Sequence, residues 1–94
     1  MAVKWLRTAL VNLNAEAEYI ARDNPSAAER VVEAILHAVQ QLERFPAIGR
    51  LGRAPGTREL VVTGTPYIVP YRVRLGQVEV LRVFHAARRW PTSF

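Results

Sequence analysis

Between Arg58 and Trp90 the chain reads RELVVTGTPYIVPYRVRLGQVEVLRVFHAARRW, and this stretch limits the possible folds more than any other. Apolar and β-branched residues (Val61, Val62, Ile68, Val69, Val73, Val78, Val80, Val83) alternate roughly with polar ones, the pattern of half-buried strands. Thr63-Gly64-Thr65-Pro66 and Leu75-Gly76-Gln77 carry turn chemistry, because glycine tolerates positive φ and proline presets a turn angle. The expectation is three short strands, two tight turns and a basic tail. Pro70 cannot donate to a ladder, which places its strand at an edge or puts a bulge there.

The N-terminal half has a different period. Ala2 to Leu6 reads as a first strand, with Val3 and Trp5 alternating against Lys4. Thr8 is the expected cap of a first helix, whose apolar face is Leu10, Leu13, Ala17 and Ile20. That helix stops near Asp23-Asn24, since the residue before Pro25 is pushed out of the α region. Two start signals for a second helix then compete: Asn24-Pro25 as cap and first residue, or a capping box over Ser26 to Glu29. Its stripe is Ala28, Val32, Ile35, Val39 and Leu42, continuing to Phe45 and stopped by Pro46. His37 falls off this stripe and reads as a surface or boundary residue. The short link predicts an antiparallel helical hairpin. Three glycines and two prolines between Pro46 and Thr57 predict an irregular connector bearing Arg50 and Arg53.

This order predicts an α+β fold for residues 1–94 as one domain: β-α-α-β-β-β, a helical hairpin on one face of a small, mainly antiparallel sheet. Tyr67 and Tyr71 share a strand parity and read as core residues, with Trp5 or Trp90 completing the cluster. There is no cysteine, so disulfides and thiolate metal sites are excluded. No apolar run approaches a membrane span and no signal peptide is evident, so the expected location is the cytoplasm, with no membrane partner and no cofactor.

Charge is distributed unevenly. Residues 1–49 carry five basic side chains against six acidic ones, a net −1, whereas residues 50–94 carry eight arginines against Glu59 and Glu79, a net +6. Arginine's planar fork suits phosphate and carboxylate. The asymmetry points to an anionic partner for the C-terminal half, either nucleic acid or an acidic polypeptide.

The joint occurrence of Phe45-Pro46, Gly49-Arg50, Arg58-Glu59-Leu60, Tyr71-Arg72-Val73 and Val83-Phe84-His85 resembles the RelE/ParE superfamily of bacterial type II toxins, from the first strand almost to the C-terminus. The resemblance implies a growth-arresting, plasmid-stabilising toxin in a hetero-oligomer with a cognate antitoxin, whose acidic, partly disordered C-terminal segment folds on binding. Two activities occur on such a fold, inhibition of DNA gyrase and metal-independent cleavage of messenger RNA on the ribosome. A degenerate relative would only bind its partner.

For a ribonuclease, the resemblance implies His85 as acid–base and Arg58, Arg72 and Arg82 as cations on the phosphorane. In this sequence, however, Ile68 stands where one ribonuclease branch has an arginine, and no tyrosine or lysine follows His85. The ending Arg88-Arg89-Trp90-Pro91 resembles the ParE branch, which implies Arg88, Arg89 and Trp90 as target-binding residues. Arg50, Arg53 and Arg74 are the expected antitoxin- or anion-binding set. His85 then has a second reading, as a structural residue that holds the start of the tail.

Overall fold

A computed structural model describes residues 1–88; Arg89 and Trp90 of the expected target-binding tail lie outside the described residues. The chain runs β1 (Ala2–Trp5), α1 (Arg7–Ala21), α2 (Pro25–Gln40), a 3-10 turn (Gln41–Glu43), β2 (Arg50–Leu51), β3 (Arg58–Val61), β4 (Tyr67–Arg74), β5 (Gln77–Val80) and β6 (Phe84–His85). The sheet order is β1-β5-β4-β3-β2, with β6 also pairing β4. Among the described strands only β1 is parallel to its neighbour, setting Val3 beside Val78 and Trp5 beside Val80. This is the expected α+β arrangement with two short strands added.

The helical hairpin covers one face of the sheet. Leu13, Ile35, Val39 and Leu42 meet Leu60, Val69, Tyr71, Val78 and Val80 in one buried cluster, with Trp5 packed at its edge. Each large aliphatic side chain so buried stabilises the fold by about 1.5–3 kcal/mol. Tyr67 and Tyr71 belong to this core, on the parity the sequence predicts. Among the described residues, no helix is long and apolar enough to cross a membrane.

Local differences from the sequence reading have physical causes. Thr8 does not cap α1: the helix begins at Arg7, with Leu6 in the cap position and no side-chain capping bond. The Leu6 N–H instead donates to the Val80 carbonyl at 3.0 Å, so sheet pairing sets the strand-to-helix junction. Leu10 is exposed, and the buried face of α1 is centred on Ala9 and Leu13. In α2 the competition is won by Asn24, whose Oδ1 accepts from the Ala27 N–H at 3.0 Å with Pro25 at the first turn. Ser26 accepts from Arg30 instead. Phe45 is exposed, because the helix tightens into the 3-10 turn before reaching it. The connector expected to lack regular structure contains β2, which pairs Arg50 with Glu59 and Leu51 with Arg58.

Pro70 lies in β4, the central strand, between β3 and β5. Tyr71 faces Val80 while Ile68 faces Phe84, so two residues of β4 are opposed by three, Leu81 to Val83. That one-residue bulge splits the expected last strand into β5 and β6 and removes the need for a Pro70 N–H. The Leu81 N–H still donates to the Pro70 carbonyl at 2.9 Å.

The β4–β5 connection is the two-residue turn Leu75-Gly76, with φ of 52° and 74°. Positive φ at both positions marks a type I′ turn, for which Asn-Gly or Gly-Gly is the usual pair. Leucine in this left-handed conformation costs about 1–2 kcal/mol.

Candidate functional site at the end of the sheet

The bulge aims β6 back at the start of β4, where His85 pairs with Tyr67. The Ala86 N–H donates to the Pro66 carbonyl at 2.7 Å and the Arg88 N–H to the His85 carbonyl at 3.1 Å, turning the chain over the sheet end. The His85 Nδ1 accepts from the Ala87 N–H at 3.2 Å, and its ring meets the Tyr67 ring edge-on at 5.6 Å between centroids.

Glu16 of α1 is the hub of this corner. One carboxylate oxygen accepts from the Tyr67 hydroxyl at 2.9 Å and the other from Arg88 Nη1 at 2.6 Å. The Arg88 guanidinium also lies 5.8 Å from the Tyr19 ring centroid. One turn earlier on α1, Asn12 Oδ1 accepts from the Val83 N–H at 3.2 Å and fixes the bulge. Charge-assisted bonds of this length are the strong class, though a half-exposed pair such as Arg88–Glu16 gains only up to about 1 kcal/mol.

Burial, the Glu16 hydrogen bond and the Glu16 charge push the Tyr67 phenol up to about 12 from its ordinary 10.0. The protonated phenol is therefore the form that folding favours. Its contribution is whole below pH 10 and is lost as pH rises through 12. Unfolding midpoints measured from pH 9 to 12 are expected to fall more steeply for the wild type than for Tyr67→Phe; parallel curves would remove Glu16–Tyr67 as a stabilising pair.

Of the arginines in the ribonuclease reading, Arg58 and Arg72 are held away from His85. Arg58 pairs with Tyr71, four positions along β4 from the partner of His85, a separation of roughly 13 Å at strand spacing. Its Nη1 donates to the Gly49 carbonyl at 2.8 Å and the Ala47 carbonyl at 3.3 Å. Arg72 lies on the opposite face, bonded at 2.6 Å to Glu79, and that hydrogen bond holds the Glu79 carboxyl below its usual range. Arg82 sits in the bulge and donates to the Leu81 carbonyl.

Arg50 and Arg53, expected to bind anions, converge on Glu59, a carboxylate only 3% exposed. Arg50 Nη2 lies 3.1 Å from one oxygen, and the Arg53 backbone N–H donates to the other at 2.9 Å. Their first role is to fasten the connector to β3. Arg74 stands at the far end of β4, opposite Gln77.

Sequence reasoning missed Glu16, Tyr19 and Asn12. A signal exists: Ala9, Leu13, Glu16 and Ile20 fall at helical spacing, which puts one acid inside an apolar stripe.

The family described as the ParE toxin of type II toxin–antitoxin system, parDE, matches residues 3–90. This chain belongs to the ParE toxin family. Its relatives include the putative toxin Y4kP of Sinorhizobium fredii, 47% identical over 89 residues, covering 95% of this chain and 92% of the relative. Toxin RelE2 of Caulobacter vibrioides is 41% identical over 86 residues, covering 92% and 96%. A solved structure of a chromosomal ParDE TA system from P. aeruginosa superposes with a TM-score of 0.81 at 30% identity, covering 90% of this chain and 95% of the other. In this chain Glu16 thus ties Arg88, the last described residue, to α1 and β4.

Proposed function

We propose that this ParE-family toxin inhibits DNA gyrase through its basic C-terminal tail and is neutralised by an antitoxin with an acidic, partly disordered segment. The observation that carries the reading is the family match along residues 3–90, which extends into the tail. Dispersal of the basic residues supports gyrase over RNA: Arg58 and Arg72 are each committed elsewhere in the fold and neither faces His85. Metal-independent RNA cleavage needs a base, an acid and cations around one phosphate. His85 fits the structural role, with its Nδ1 on the first turn of the tail. A gyrase target would place the chain in the cytoplasm. The net +6 of residues 50–94 supports an acidic antitoxin segment that orders on binding.

Ribosome-dependent RNA cleavage is the second reading, favoured by one cluster: His85, Tyr67, Glu16 and Arg88 lie within one contact shell. The relative from Caulobacter also carries the name RelE2.

The test is to add purified chain to gyrase supercoiling reactions and, separately, to a translation extract lacking gyrase. Inhibited supercoiling or trapped cleaved DNA is expected, with messages left intact. Codon-positioned cuts with no effect on gyrase would replace the proposal with RNA cleavage. Induction without growth arrest would leave only a partner-binding relative.

A further inference from the structure

We propose that the tip and open edge of the β4–β5 hairpin form a docking surface for an extended acidic segment of a partner protein, with Leu75 as the apolar anchor. The inference deepens the antitoxin reading and rests on it only for the partner's identity.

Leu75 violates two rules at once. It occupies a left-handed turn position suited to asparagine or glycine, and its apolar side chain is 92% exposed. Neither feature helps the isolated fold. Two residues before it on β4, Val73 is 46% exposed, and Leu51 of β2, two strands away, is 80% exposed. A notch of about 310 Å³ lies between them, bounded by Gly56, Thr57, Arg58 and Arg72.

The notch exists because β4 outruns β3. Arg58, the first residue of β3, pairs with Tyr71, so residues 72–74 have β5 on one side and, among the described residues, no strand on the other. Arg74 and Gln77 flank a two-residue turn and form a hydrogen-bonded pair, as do Arg72 and Glu79. Alternation then aims the Val73 N–H and C=O away from β5, past the end of β3. An added strand finds backbone partners there.

Side chains specify the rest. Val73 lies on one face of that edge, Arg72 and Arg74 on the other. A strand laid alongside would alternate apolar with acidic residues. Glu79 of β5 is already paired with Arg72, which leaves Arg74 as the cation an acidic residue would meet among the described residues. By contrast, the apolar groove between α1 and α2 is rimmed by Glu18, Glu29 and Glu33, which repel an acidic segment.

The probe is the capped peptide (Leu-Glu)4, titrated into isotope-labelled protein and followed by amide chemical shifts, with (Leu-Lys)4 and the oligonucleotide dT12 as controls. Shifts are expected at residues 72–77, Leu51 and Arg58 with (Leu-Glu)4 alone. Leu75→Asn is expected to weaken that binding about 5- to 30-fold. The same variant should raise Tm by about 4–8 °C by relieving the turn. Unchanged affinity, a lowered Tm, or dT12 binding at these amides without peptide binding would overturn the proposal. Self-association lost in Leu75→Asn would also overturn it, giving the surface to a second copy. Neutralisation by the protein of the neighbouring reading frame is scored separately. If that persists while the peptide fails, the surface is wrong and the antitoxin reading stands; the reverse outcome keeps the surface and removes the antitoxin.

Discussion

Gly49→Ala is expected to lower stability by roughly 2–5 kcal/mol, combining overpacking with loss of buried hydrogen bonds. A Cβ at Gly49 would stand 2.6 Å from Tyr71 Cε1, 2.7 Å from its hydroxyl and 3.0 Å from the Glu59 carbonyl. Tyr71 cannot yield, because it is fully buried in the core. Its hydroxyl accepts from the Gly49 N–H at 2.9 Å and donates to the Pro46 carbonyl at 2.8 Å, so any shift breaks both bonds. Against a total of about 5–15 kcal/mol this is a large fraction, and Tm should fall by roughly 10–30 °C. Thermal unfolding of Gly49→Ala, Tyr71→Leu and the double variant checks the cause. The double variant should be little worse than Tyr71→Leu alone, whereas additive losses would show that Tyr71 is not what the Cβ meets.

Deleting Ala87 to Phe94 is expected to abolish growth arrest while leaving the fold and antitoxin binding largely intact. Among the described residues, the deletion removes the Arg88–Glu16 bond, the Arg88 contact with the Tyr19 ring, and the Ala87 and Arg88 N–H bonds to His85. It spares the β6 pairing of His85 and Phe84 and the Tyr67–Glu16 bond. Losing one half-exposed ion pair costs at most about 1 kcal/mol, too little to explain loss of toxicity by unfolding. Circular dichroism, antitoxin affinity and growth after induction measure the three properties separately. Full toxicity in the truncated chain would move the target-binding surface elsewhere.

Much of this was legible in the sequence because periodicity and turn chemistry act locally. The Ile35-Val39-Leu42 stripe, the Asn24-Pro25 start and the two turns all survive in the fold. What was not legible depends on long-range pairing. Pro70 reads as an edge or a bulge residue, and only the pairing of β4 with β5 and β6 decides for the bulge, at Leu81 to Val83. Leu10 reads as core until Glu16 and Asn12 rotate α1 toward the sheet end. The arginines show the same limit: charge counting finds Arg50, Arg53 and Arg58, but not that connector carbonyls and Glu59 occupy them.

The account stands or falls on whether His85 is a structural residue at the root of a target-binding tail. The decisive measurement is growth arrest by His85→Ala, beside the tail deletion, with Tm and antitoxin affinity measured on the same proteins. The account predicts toxicity reduced only as far as the loss of the Tyr67 ring contact and the Ala87 bond destabilises the fold. A general acid–base would behave otherwise, its removal costing about 10²–10⁴-fold in rate with the fold intact. A stable, antitoxin-binding His85→Ala protein without toxicity, beside a fully toxic tail deletion, would contradict the gyrase reading and make His85 the catalyst.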